Sequence, residues 1–143
     1  MRAITIQQPW ASLVALRAKR YETRSWNTHY RGPLAIHASA TFSETQRRLA
    51  RSGPFVAVCQ LTAVFKTTDS SGQSAFEFAR ADLSNREEAF GDFSPGRFAW
   101  LLTNVIALEN PIPARGALGL WEWNDEALIL DPKIQKHQQV KTA

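Results

Sequence analysis

Residues 55–65 read Phe55-Val56-Ala57-Val58-Cys59-Gln60-Leu61-Thr62-Ala63-Val64-Phe65. Only Gln60 and Thr62 interrupt the apolar side chains, so both faces of an extended chain here need cover. That predicts a central strand rather than an edge. Other β-prone runs lie around it. Residues 3–6 and 33–38 precede it, 98–108 follow with Pro111 and Pro113 expected to break the strand, and 119–123 form a last short strand. Between them, Pro9 suits the first turn of a helix that ends near Ala18 and keeps Trp10, Leu13 and Val14 on one side. Thr41 and Glu44 have capping-box spacing and open a second helix, which Ser52-Gly53-Pro54 stops. Residues 66–75 read as a mobile loop, 85–89 as a helical turn and 90–97 as a tight loop. With no strict strand–helix alternation, the expected class is α+β: a mostly antiparallel sheet curled into a barrel, flanked by two or three short helices.

The chain has 143 residues, 44% apolar and 21% charged, which suits one globular domain with a real core. That domain is expected over 1–130, with 131–143 a polar, flexible tail. Cys59, the single cysteine, excludes an internal disulfide and any zinc site with two thiolates, and reads as core. The opening residues 1–6 are interrupted too soon for a secretory signal, and no run reaches the ~18 apolar residues of a membrane span. A cytoplasmic protein with no membrane partner is expected.

The net charge of +4 is unevenly spread. Residues 1–51 carry nine Lys and Arg against two acids; residues 52–143 carry eight against eleven. A basic first third points to an anionic partner, nucleic acid before membrane, although a solvated basic face gives the same count. No phosphate-binding glycine loop, Gly-x-Ser-x-Gly elbow or His-Glu-x-x-His motif is present. His29 and His37 fall eight residues apart across a turn. A metal pair is conceivable there, but a loop histidine and a satisfied strand histidine account for them better, and no metal or cofactor is called for.

The dense constellation is Gln8-Pro9-Trp10, then Lys19, Glu22, Arg24 and Trp26, then Tyr30-Arg31. Period two places Glu22, Arg24 and Trp26 on one strand face and Tyr21, Thr23 and Ser25 on the other. Rings and fixed polar groups together suit recognition of an unstacked base. Trp10 and Tyr30 would stack, Gln8 and Glu22 read a base edge, and Lys19, Arg24, Arg31 and Arg97 contact phosphate or carbonyl oxygens. The plainer alternative makes Trp10 and Trp26 core residues and Glu22–Arg24 a surface pair worth under about 1 kcal/mol.

Gln8-Pro9-Trp10-Ala11 followed by Arg17-x-Lys19-x-x-Glu22-x-Arg24 resembles the ASCH (activating signal cointegrator homology) family, whose hallmark is Gly-x-Lys-x-x-Glu-x-Arg. Residues 30–38, 90–100 and 119–123 resemble its small stand-alone bacterial and phage members. The resemblance implies a PUA-like barrel with a cleft beside it, and carries the family's Lys, Glu and Arg onto Lys19, Glu22 and Arg24. Arg17 stands where the family has glycine, which implies a different turn or a small strain.

For activity, the resemblance implies binding of RNA, of single-stranded or modified nucleic acid, or of a free nucleoside. The alternative it implies is a hydrolase: a ribonuclease, or an amidohydrolase acting on N4-acetylcytidine. In the amidohydrolase branch a Thr nucleophile occupies the position of Glu22, so the hydroxyl is missing here. An enzyme would have to use Lys19 as base on water, with Glu22 holding it and Arg24 stabilising an oxyanion. For RNA cleavage Tyr30, His37 and Lys19 are the acid–base candidates. A protein-interaction domain is the third reading.

Overall fold

The computed structural model of the chain describes residues 1–39, 53–67, 87 and 90–142. Its elements in chain order are β1 (Arg2–Gln7), α1 (Trp10–Ala15), β2 (Tyr21–Arg24), β3 (Gly32–Ser39), β4 (Pro54–Lys66), β5 (Phe98–Pro113) and β6 (Leu120–Glu122), then a 3₁₀ helix (Glu126–Leu130) and α2 (Pro132–Thr142). The strands form one sheet in the order β2-β5-β4-β3-β1-β6. All pairings are antiparallel except β1 with β3. The apolar run at 55–65 falls on β4, flanked on both sides as its composition requires. The class is the α+β one expected, a curled half-barrel with helices on it.

Bulges accompany the curl. Between Phe55↔Ile112 and Ala57↔Ala107 the register gives β5 surplus residues, and further shifts follow at Val58/Gln60 and Leu61/Ala63. Surplus residues bend a strand and raise its twist. They also explain why Pro111 does not break β5 as the sequence suggested, so that the strand runs on to Pro113. Pro111 lies in the surplus, where no ladder bond needs an N–H, and Pro113 is the strand's last residue. The N–H groups of Glu109 and Asn110 donate instead to Asp131 Oδ2, at 2.9 and 3.2 Å.

Period two divides the core between the sheet's faces. Ile4, Ile6, Leu34, Ile36, Leu61, Trp100 and Leu102 pack with Ala11 and Val14 of α1 on one face. Ala3, Ala35, Phe55, Val58 and Leu108 pack with Leu128 and Ile134 on the other. The tail expected to be polar is helical over Pro132–Thr142, with buried Ile134 and Asp131 at its start. The helix expected from Thr41 to Arg51 lies outside the described residues. So do the loop expected at 66–75 beyond Thr67 and, Glu87 apart, the turn at 85–89. Lys66 ends β4, and Thr67 is buried.

The end of α1 decides where the chain goes next. Arg17 N–H donates to Val14 O at 2.9 Å and Ala18 N–H to Leu13 O at 3.0 Å, the paired bonds of a Schellman motif. The motif needs a left-handed residue, and Arg17 supplies it at φ 62°. Of the two outcomes the sequence left open, strain is the one found: the turn is the one glycine would make, held by a residue for which it costs on the order of 1 kcal/mol. The guanidinium offsets that cost by donating from Nε and Nη2 to Val105 O, at 3.2 and 2.9 Å. Urea unfolding of two variants tests this balance. Arg17→Lys keeps the strain and loses the fork, so it destabilises by about 1 kcal/mol. Arg17→Gly loses both and falls within about half that cost; equal losses would show that the backbone strain contributes nothing.

Candidate functional site

The chain leaves the Schellman turn and delivers Lys19 into the interior, with 2% of its side chain exposed. Its Nζ donates to Tyr21 O at 2.5 Å and to Phe90 O at 2.6 Å, and stands 3.9 Å from Glu22 Oε2. Burial lowers the Lys19 pKa from the ordinary lysine value; Glu22 and Glu87 oppose that shift and Arg24 adds to it.

β2 supplies the rest of the charge line. Glu22 and Arg24 share a face, as the alternation predicted, and Arg24 Nε lies 3.1 Å from Glu22 Oε1. That contact is an ion pair without hydrogen-bond alignment, and among the described residues the Nε hydrogen has no well-aligned acceptor. Arg24 Nη2 donates to Thr5 O at 2.8 Å. In the sheet order three strands separate β2 from β1, so this bond crosses the open side of the curl. Arg97 adds a cation near Glu22 while bonding Thr23 O and Asp92.

Aromatic rings lie beside this line. The Trp10 ring is 5.9 Å from Phe90 and 6.0 Å from Lys19 Nζ. Trp26 meets the fully buried Trp100 edge-on at 4.8 Å, and Trp100 is the cross-strand partner of Glu22. Among the described residues the Trp100 indole N–H has no hydrogen-bond partner. Gln8 sits at the start of α1, where its Oε1 accepts the Ser12 N–H at 3.0 Å.

Of the residues singled out from sequence, Gln8, Trp10, Lys19, Glu22, Arg24 and Arg97 are thus gathered between α1, β2 and the loop at 90–97. Tyr30 and Arg31 are not. Tyr30 donates to Pro33 O and lies under Arg2 at the other end of β1, roughly 16 Å from the Gln7 end by strand rise. The Arg31 guanidinium is turned back onto Thr28 O and Tyr30 O. His37, offered as an acid–base candidate, is 0% exposed. Its Nε2 faces the carbonyls of Gly53 and Ala114 at 2.7 and 2.9 Å, so that nitrogen carries a hydrogen and donates. It is a satisfied core histidine, away from Lys19, while His29 is exposed in its loop. Thr23 points to the opposite face of β2, where its Oγ1 accepts the Asp92 N–H at 3.0 Å. Cys59 is core, its thiol pushed up to about 12 by burial. Among the described residues no three His, Cys, Asp or Glu gather as a metal site, and no helix is long and apolar enough to cross a membrane.

Sequence reasoning missed Glu87. Its carboxylate, also 2% exposed, accepts the N–H groups of Arg20 and Tyr21 at 2.9 and 2.8 Å. No motif announces such a residue, because its partners are main-chain groups distant in sequence.

A cation, a carboxylate and a second cation in line on a sheet edge, with an indole beside them, repeat the order of the hallmark read from sequence. The ASCH domain model matches residues 4–112. The chain belongs to the ASCH domain family. Activating signal cointegrator 1 of Homo sapiens is 31% identical over 152 residues, covering 96% of this chain; the chain spans only 23% of that protein's length. Two crystal structures of ASCH from Zymomonas mobilis, one of them a Tyr-to-Phe mutant, superpose with TM-score 0.53 at 17% identity. They cover 90% of this chain and 94% and 92% of theirs, and at that identity they bear on the fold, which is PUA-like. ASCH domains are nucleic-acid-associated and generally RNA-binding.

The pH dependence of stability tests the burial of Glu22. Burial raises its pKa, with Arg24 and Lys19 pulling the other way. Above the unfolded value of about 4.3 the unfolded chain releases this proton before the folded one does. The folded state then binds more protons, and stability falls as pH rises through that window. In urea unfolding the wild type therefore loses stability relative to Glu22→Gln as pH climbs from about 4.3 through the raised value. A difference that stays flat, or slopes the other way, would contradict it.

Proposed function

We propose that this ASCH domain binds RNA by receiving one unstacked base, modified or not, between Trp10 and the charge line Lys19–Glu22–Arg24. The observation that carries the reading is that line itself: three ionisable groups are held in a largely desolvated row and flanked by an indole. A fold that needed only stability would do as well with apolar residues of similar volume there, since desolvation offsets most of what buried ion pairs gain. Glu22 and Arg24 put an acceptor beside a donor, which is what the edge of a base presents in complement, and the buried Lys19 ammonium behind them sets the charge of the row. Trp10 offers a face, and base–aromatic stacking contributes about 1–3 kcal/mol. The arginines on the exposed side, Arg97 first, suit the phosphates that flank the base.

The test is titration of a labelled single-stranded RNA at low salt, against DNA of the same sequence and free nucleosides. Lys19→Met, Arg24→Gln and Trp10→Ala, each shown to unfold cooperatively, weaken binding by about tenfold or more. Unchanged affinity in both charge variants would refute the reading. Loss of RNA affinity with nucleoside affinity retained would make the ligand the base alone.

A hydrolase reading has one observation in its favour, a Lys19 ammonium whose pKa burial lowers toward the range of a general base. Against it, the nearest aliphatic hydroxyl in sequence, Thr23, is engaged by the Asp92 N–H on the far face of β2. Incubation with N4-acetylcytidine and with labelled single-stranded RNA decides it. Product that vanishes in Lys19→Met would establish the activity; none from either substrate at high protein concentration would retire it.

A further inference from the structure

Two carbonyls hold the Lys19 ammonium, and one residue holds both of them. Nζ donates to Tyr21 O and Phe90 O. Glu87 Oε1 accepts the N–H of Tyr21 at 2.8 Å and that of Arg20 at 2.9 Å, and Oε2 lies 3.1 Å from the Arg20 nitrogen. The main-chain carbonyl of Glu87 accepts the Phe90 N–H at 3.1 Å. The residues that coordinate the ammonium are therefore each tied to Glu87 by their own N–H. A carboxylate this buried is rare unless its lone pairs and its charge are both answered. The N–H groups answer the lone pairs, and the nearest buried ammonium answers the charge.

We propose that Glu87 is the positioning residue of Lys19: it fixes the two carbonyls that receive the ammonium, and its carboxylate is the second counter-charge, after Glu22, that the buried cation requires. Glu87 need not touch a ligand to do this. It sets the depth and the charge of the group at the end of the Lys19–Glu22–Arg24 line. The consequence for binding rests on the RNA-binding reading; the assignment to Lys19 does not.

The first test therefore uses no RNA. The charged groups that act on Lys19 are Glu22 and Arg24 from β2 and Glu87 itself, while α1 presents the uncharged Trp10 ring. In Glu87→Gln one oxygen is kept for the Arg20 and Tyr21 N–H groups, while the charge and the 3.1 Å Oε2 contact to Arg20 are lost. Lysine side-chain NMR, with the Lys19 signal assigned through Lys19→Met, is expected to show its titration midpoint falling by about one pH unit, tenfold in proton affinity, with the other lysines unmoved. An unchanged Lys19 midpoint in the folded variant would overturn the proposal. Should Glu87→Gln fail to fold, the double variant Lys19→Met/Glu87→Gln replaces it. Recovery of a cooperative unfolding transition supports coupling to Lys19, and no recovery overturns it.

Labelled single-stranded RNA provides the second test. Binding by Glu87→Gln weakens about tenfold at a pH between the two midpoints and recovers below both, which a merely structural defect would not do. If the midpoint shifts as expected while the wild type binds no RNA, the binding reading falls and the assignment of Glu87 stands. If RNA binds and the midpoint does not move, the assignment falls alone.

Discussion

A lysine ammonium stripped of water has to be answered by the protein at every hydrogen. For an ion left unpaired the penalty is several kcal/mol even after relaxation. Lys19 is such a group, and the structure around it is the answer: two carbonyls, a carboxylate at 3.9 Å and an indole face. These partners come from three parts of the chain. Tyr21 and Glu22 come from β2, Phe90 from the loop that enters β5, and Trp10 from α1. The demand for these partners at one point ties those elements together more tightly than their apolar contacts alone.

The curl of the sheet makes that meeting possible. Surplus residues in β4 and β5 bend the sheet until the β2 edge faces β1 across the open side, and Arg24 closes the distance to Thr5 O. The uncovered flank of β5 is guarded in the same manner. Arg17 occupies the Val105 carbonyl, and Asp131 occupies the Glu109 and Asn110 N–H groups. Exposed strand flanks invite pairing with other chains, and charged side chains bonded to them are one way proteins prevent it. Arg24 thus has two tasks, closing the curl and forming one end of the charge line.

Much of this was legible in the sequence because it is periodic. The run at 55–65 had to be central and the alternation at 21–26 had to put Glu22 beside Arg24, while the resemblance to the ASCH hallmark implied strain or a new turn at Arg17. What failed to show was nonperiodic or main-chain in origin. Tyr30 and Arg31 are near Lys19 in sequence, yet parallel pairing of β1 with β3 carries them to the far end of the strand. Proline punctuation misled at Pro111 because a bulge removes the hydrogen bond that proline would break. The tail is polar as it looked, but its single early apolar residue, Ile134, is buried and anchors a helix that composition did not announce. Glu87 was invisible because it recognises amides, which every residue carries.

The central claim is that the face bearing Trp10 and Trp100, and not the face bearing Trp121 and Trp123, receives the nucleic acid. The five tryptophans of the chain allow a direct reading, since each indole N–H gives its own NMR signal. Trp10, Trp26 and Trp100 lie on or against the α1 face of the core, while Trp121 and Trp123 pack on the opposite one. On titration with a short single-stranded RNA, Trp10 and Trp100 are expected to shift strongly, and Trp121 and Trp123 not beyond noise. Shifts confined to Trp121 and Trp123 would contradict the claim.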